Sequence, residues 1–225
     1  MRYVFLAFAV LMTPLSASAE GRNGFTVGLG TLGVEGVYTR NLNSWFDLVL
    51  GYSTLDYDDT FSQDDGTSFK ASATIDAPRI GLQFFPLGFL NMEIGMVAGA
   101  PELGITVNPD EDGNYMIGDT EYPSEGDSGI GTFSGEVSFE NDAAPYVLFG
   151  IGRNVGGGLG LSLSAGVIQY GSLTANLTNE RCDLFSNPNC GLLAIKIAME
   201  EREINNELDE FELWPFLRVG LTYSF

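Results

Sequence analysis

Histidine is absent from this chain of 225 residues. The side chain best suited to proton transfer at neutral pH, and the commonest metal ligand, is therefore missing. General acid–base chemistry would have to come from a carboxylate with a strongly displaced pKa. Cations are scarce as well: Lys and Arg total 10 against 30 Asp and Glu, for a formal charge of −20. Such a chain lacks the groups that neutralise phosphates, so nucleic acid is excluded as a partner. Only Cys182 and Cys190 carry thiols, and without histidine two thiols cannot complete a soft metal site. Long apolar runs are lacking too. The run from Val4 to Leu15 is shorter than the ~20 residues that span a bilayer, and no later stretch is longer.

That short run does have a meaning. Arg2 precedes it, and Ser16-Ala17-Ser18-Ala19 follow it, the three parts of a secretory signal with cleavage expected after Ala19. Residues 1–19 are set aside as a signal peptide, and 20–225 are one domain's worth of chain. Without Arg2 the acidic excess grows by one. An exported chain meets an oxidising compartment, so Cys182 and Cys190 in "CDLFSNPNC" are read as a disulfide. Closing so short a loop stabilises by about 2–3 kcal/mol in the chain-entropy model.

What the chain has in quantity is two-residue alternation. "WFDLVLGYSTL" sets Phe46, Leu48, Leu50 and Tyr52 against Asp47, Val49, Gly51 and Ser53. Ile80, Leu82 and Phe84 oppose Gly81, Gln83 and Phe85; Met92, Ile94 and Met96 oppose Glu93, Gly95 and Val97. At the end, Leu217, Val219, Leu221, Tyr223 and Phe225 oppose Arg218, Gly220, Thr222 and Ser224. Seven strands are expected on this basis, at 33–40, 45–55, 71–84, 90–99, 143–153, 160–173 and 213–225. An eighth fits in "NGFTVGLGTLG" if Thr31-Leu32 form a tight hairpin; one long strand through 24–40 bulged at "GLGTLG" is the alternative. Short turns at 41–44, 85–91 and 154–160 contrast with long acidic connections at roughly 55–70, 100–140 and 174–212.

Glu35, Asp47, Arg79, Gln83, Glu93 and Arg218 share their strand face with Gly and Ser, while the opposite face is continuously apolar and flanked by aromatics. Gly and Ser make a poor solvent-facing surface. The apolar face is better turned to lipid, with aromatics at the interfaces and polar residues in the lumen. Lipid forces every backbone group to be paired, so the sheet must close, the last strand on the first. The expected fold is all-β: an eight-stranded antiparallel transmembrane β-barrel with one amphipathic helix in the last long loop.

"GTLGVEGVYTRNLNSWFDLVLGY", "APYVLFGIGR", "LGLSLSAGVIQYGS" and "LDEFELWPFLRVGLTYSF" resemble small exported proteobacterial barrel proteins, broadly of the OmpA/OmpX and OmpW types. The resemblance covers nearly the whole exported chain. It implies the outer membrane, with lipid and lipopolysaccharide as surroundings, and it carries over no catalytic or binding residue. The alternating end with terminal Phe225 looks like the signature read by the barrel insertion machinery.

Barrel enzymes of the outer membrane use a catalytic histidine, so no enzyme is expected. Glu35, Asp47, Arg79, Glu93 and Arg218 are expected to form a charge network in the narrow lumen. That network is either a plug that stabilises the barrel or part of a narrow conducting path for water, small solutes or cations. In "DEDGNYMIGDTE", Asp110, Asp112, Asn114 and Glu121 have the spacing of a Ca²⁺ loop, but Tyr115 stands where the sharp turn needs Gly, so a solvated acidic loop is the plainer reading. The helix is expected in 192–212, where Leu193, Ile197, Ile204, Leu208 and Phe211 share a face, packed over the barrel mouth.

Overall fold

The computed structural model describes residues 22–62, 68–87, 89–109, 112–117, 120–124, 133–152, 158–179 and 212–225, with helical residues between 195 and 208. The signal segment, Cys182 and Cys190 lie outside the described residues. Among the described residues thirteen strands follow in chain order: β1 (Asn23–Gly30), β2 (Gly33–Asn41), β3 (Phe46–Ser62), β4 (Ser68–Phe84), β5 (Leu90–Ala98), β6 (Glu102–Asn108), β7 (Asn114–Ile117), β8 (Thr120–Pro123), β9 (Phe133–Phe139), β10 (Ala143–Ile151), β11 (Gly158–Ile168), β12 (Leu173–Asn179) and β13 (Trp214–Ser224).

Eight of them form a closed antiparallel ring, β1-β2-β3-β4-β5-β10-β11-β13 and back to β1. The seam is regular: Gly24 pairs with Ser224 and Gly30 with Arg218. Below it, the backbones of Asn23 and Phe225 exchange hydrogen bonds of 2.8 and 3.0 Å. The hairpin alternative for 24–40 is the one observed, since β1 pairs with β2 from Asn23–Arg40 to Gly30–Gly33. Inside the ring, residues alternate as the sequence does. Thr26, Glu35, Val37, Val49, Arg79, Glu93, Tyr146, Ser164, Phe216 and Arg218 are all buried.

The ring is not the whole sheet. β4 pairs with β5 along 79–84 and with β6 along 68–74. β5, β10 and β11 each adjoin, across breaks at 99–101, 140–142 and 169–172, the strands β6, β9 and β12. Gly99 and Gly171 sit in two of these breaks at φ +82°, a backbone region that only glycine adopts without strain. Above the breaks, β3-β4-β6-β9-β12 make a five-stranded open sheet.

This upper sheet corrects the expected loop lengths. The connection expected at 55–70 is mostly strand, since β3 runs to Ser62 and β4 starts at Ser68. The connection at 100–140 holds β6 to β9, and that at 174–212 begins inside β12. The physical reason is a reversal of faces. Around the ring the outward residues are apolar and exposed, as at Ile80, Leu82, Ile94, Met96, Leu161, Leu163 and Leu221. In the upper sheet the same outward parity carries Thr74, Ser72, Thr106, Ser134, Glu136 and Asn176, and the inward parity carries Leu55, Ile75, Leu103, Val137, Phe139 and Ala175. Those strands set a polar outward face against a largely apolar inward one, on which Tyr57, Phe61 and Ile105 are still exposed, so their acidic character reads as loop in the sequence.

An open sheet has edges that invite other strands. On β12, Asn205 occupies part of the edge: its side-chain carbonyl accepts from the Ala175 N–H at 2.7 Å and its amide donates to the Ala175 C=O at 3.2 Å. Asn205 belongs to the helix α1 (195–208), in which Ile197, Glu201, Ile204, Asn205 and Leu208 are half-buried and Ile195, Ala198, Met199, Arg202 and Asn206 are exposed. Ile197, Ile204 and Leu208 thus share the half-buried face; Leu193 and Phe211 lie outside the described residues. At the other edge, upper β3 carries Asp56, Asp58 and Asp59, charges that discourage strand addition.

Candidate functional site

Four strands each deliver one charge to the middle of the ring: Glu35 from β2, Arg79 from β4, Glu93 from β5 and Arg218 from β13. All four are inward by alternation and no more than 4% exposed. They form a cycle. Arg79 donates to Glu35 at 2.9 Å, and Arg218 to Glu93 at 2.9 Å. The two cross contacts, Arg79–Glu93 and Arg218–Glu35, are 3.7 Å each, attraction without a hydrogen bond. Two positive and two negative charges balance. Such a set is tolerable out of water only because each charge faces two of opposite sign.

The surrounding side chains add hydrogen bonds to the cycle, although Arg79 Nε and Nη2, Arg218 Nε and Nη1 and Glu35 Oε1 are buried without one among the described residues. Tyr146 donates to Glu93 at 2.7 Å. Ser53 accepts from Arg79 at 3.3 Å, and Ser164 from Arg218 at 3.4 Å. The Arg79 guanidinium also lies 5.3 Å from the centre of the Phe216 ring, within cation–π range. Gly51 makes room for it, since a Cβ there would stand 2.8 Å from the Arg79 Cζ.

On the upper-sheet side of the cycle the interior turns apolar. Tyr146 meets Phe216 edge-on at 6.2 Å; Phe139 packs on Tyr170 at 5.1 Å and edge-on to Trp214 at 5.7 Å. Leu32, Ile75, Val97, Leu148 and Ile168 fill the remainder of that layer. Tyr170, at the break above β11, donates to the Gly99 carbonyl at 3.2 Å. Burial pushes its phenol up to about 12. On the short-turn side the interior stays polar, with the Thr26 and Thr222 hydroxyls 2.6 Å apart and Gln83 and Asn91 buried.

Of the five lumen charges expected, the structure thus joins four. Asp47 is buried but sits four residues nearer the short-turn rim than Gly51, the pairing partner of Arg79, and accepts from Asn41 at 2.6 Å. At about 3.3 Å per residue it is roughly 13 Å along the strand from the cycle. Tyr146, Ser53, Ser164 and Phe216 were missed as parts of the site. The parity that placed Arg218 inside places Phe216 inside too, and "APYVLFGIGR" puts Tyr146 on the face of Leu148.

The Ca²⁺-loop spacing has a different outcome. Asn114 and Glu121 fall on opposite strands of the β7–β8 hairpin, so the segment does not follow the single loop that spacing requires. Asp112 is exposed in the turn before it, Asp110 lies outside the described residues, and no group of three metal-ligating side chains occurs among the described residues.

No family model matches the chain, and no curated protein matches it in sequence. Among solved structures it is similar to Acinetobacter baumannii CarO2, with a TM-score of 0.60 and 19% identity, over 90% of this chain and 98% of that one. It is similar also to Acinetobacter baumannii CarO, with a TM-score of 0.60 and 18% identity, over 92% of this chain and all of that one. At such identities the likeness is one of fold, that of an all-β antiparallel chain.

Proposed function

We infer that the chain is an integral outer-membrane β-barrel with a closed lumen, acting as a structural or surface-interaction protein rather than as an enzyme or a channel. The observation that carries this is the neutral Glu35–Arg79–Glu93–Arg218 cycle lying beneath the Phe216–Tyr146 and Tyr170–Phe139–Trp214 layer. A solute crossing the lumen would have to break both. The membrane part rests on the outer belt. Leu161 is 68% exposed, Leu29 60% and Phe149 60%, and the belt continues around the ring. In water a patch of that extent drives association; in lipid it is the ordinary surface of a barrel. Trp45 stacks on Phe84 and Phe46 meets Phe84 at a tilt at the short-turn rim, and Tyr223 stacks on Phe225 there, where interfacial aromatics belong.

Single cysteines at Leu163 and Ser164, in a Cys182→Ser/Cys190→Ser background, test the assignment of faces. After labelling with a fluorophore before refolding into vesicles, the Leu163 position is expected to be quenched by brominated acyl chains. The Ser164 position is expected to prevent refolding or to escape quenching. Equal quenching at both sites would sink the lipid-facing assignment.

A further inference from the structure

We propose that the outward face of the β4-β6-β9-β12 sheet docks the neutral sugar units of the lipopolysaccharide surrounding the barrel. The inference rests on the outer-membrane reading and adds a ligand to it. Ser72, Gly104, Glu136 and Asn176 pair directly across the four strands, forming one row. Thr106, Ser134 and Thr178 form the next row. Together they line a hollow of about 290 Å³. Gly104 supplies its floor: a Cβ at that position would stand 2.6 Å from the Ser72 hydroxyl and raise the centre of the row.

Three features select the occupant. The first is chemistry. The lining offers hydroxyls, one amide and the carboxylates of Glu102 and Glu136 beside Leu103 and Ile105; Lys70, which continues the second row from Thr106, is outside the lining and paired with Asp58 at 3.6 Å. Hydroxyls and carboxylates pair well with sugar diols, while bare phosphates are repelled. The second is height. The apolar belt ends on β4 at Asp76, which accepts hydrogen bonds from Tyr52 and Thr54. Ser72 is four residues further up, about 13 Å along the strand. That places the hollow beyond the fatty-acyl boundary, in the layer that the sugars of an outer-leaflet glycolipid occupy. The third is facing. The hollow continues the lipid-facing parity of the ring upward, so the surrounding glycolipid is the molecule nearest to it.

The test uses the full chain refolded in detergent and a lipid-free core oligosaccharide released from rough lipopolysaccharide by mild acid. Calorimetry would measure binding, and amide hydrogen exchange would locate it. The expected result is saturable binding that survives EDTA, with exchange slowed in β6 and β9. Glu136→Gln and Gly104→Phe should each weaken it about tenfold or more, as loss of a charge-assisted hydrogen bond or of the hollow requires. Asn176→Ala stands in if Gly104→Phe does not refold. No binding by the wild-type chain, binding untouched by these variants, or binding abolished by EDTA (a cation bridge to residual phosphates) would each overturn the proposal. Failure here with normal bromolipid quenching at Leu163 rejects the sugar site alone. Failure of that quenching rejects the membrane reading beneath it.

Discussion

Glu93→Gln keeps the size of the side chain and removes one charge from a neutral set of four. Glu93 accepts from Arg218 at 2.9 Å and from Tyr146 at 2.7 Å, and faces Arg79 at 3.7 Å. After the change, two guanidinium groups share the Glu35 carboxylate in a site with almost no solvent exposure. Removing one partner of a buried ion pair costs about 3–5 kcal/mol, because the remaining charge is left uncompensated. That is roughly two to three and a half powers of ten in the folding equilibrium. Arg218→Met alone leaves the opposite imbalance and should cost a similar amount. The double variant restores neutrality around the short Arg79–Glu35 contact. It should therefore cost clearly less than the sum of the two, since a buried pair replaced whole by uncharged groups is often close to neutral. Urea unfolding of the refolded protein in lipid vesicles, scored by the mobility of unboiled samples on gels, gives all four corners of the cycle. Single losses under about 1 kcal/mol that simply add would refute the coupled cycle.

Other outcomes follow from single contacts. Asn205→Ala removes both hydrogen bonds to the Ala175 backbone, so the Ala175 amide should exchange faster while the ring strands keep their protection; unchanged exchange at β12 would mean that the edge is covered by something else. Burial disfavours the Tyr170 phenolate and pushes its pKa from the ordinary tyrosine range up to about 12. Its contribution is complete below pH 10 and should be lost as pH rises through about 12, a loss that Tyr170→Phe removes from the pH–stability profile. Cys182 and Cys190 should resist thiol labelling in the exported protein until reductant is added; two free thiols would reject the disulfide.

The ring was legible because its chemistry alternates strongly. Phe46, Leu48 and Leu50 against Asp47, Val49 and Gly51 admit one sheet face each, and a slip of one residue would place charge in the belt. Glu35, Arg79, Glu93 and Arg218 could be assigned to the interior from parity alone. Their distances from one another could not, because the stagger between strands decides which inward residues share a level. Asp47 shows this: the same parity leaves it near the rim. The upper sheet was hidden for a different reason. "LDYDDTFSQDDG" carries Leu55, Tyr57 and Phe61 on one parity, but its run of Asp mimics a solvated loop. Breaks at Gly99 and Gly171 then cut long strands into pieces shorter than the pattern needs. Asn205 gave no signal, since an edge cap depends on a contact 30 residues away in the chain.

The closed lumen is tested most directly by planar-bilayer conductance of the refolded full chain, with and without Phe216→Ala combined with Tyr146→Ala. The account predicts no discrete single-channel steps from the wild-type protein in molar salt, and at most a raised leak from the double variant, in which the Glu35–Arg79–Glu93–Arg218 cycle still bars the lumen. Regular, voltage-independent steps from the wild-type protein would contradict it.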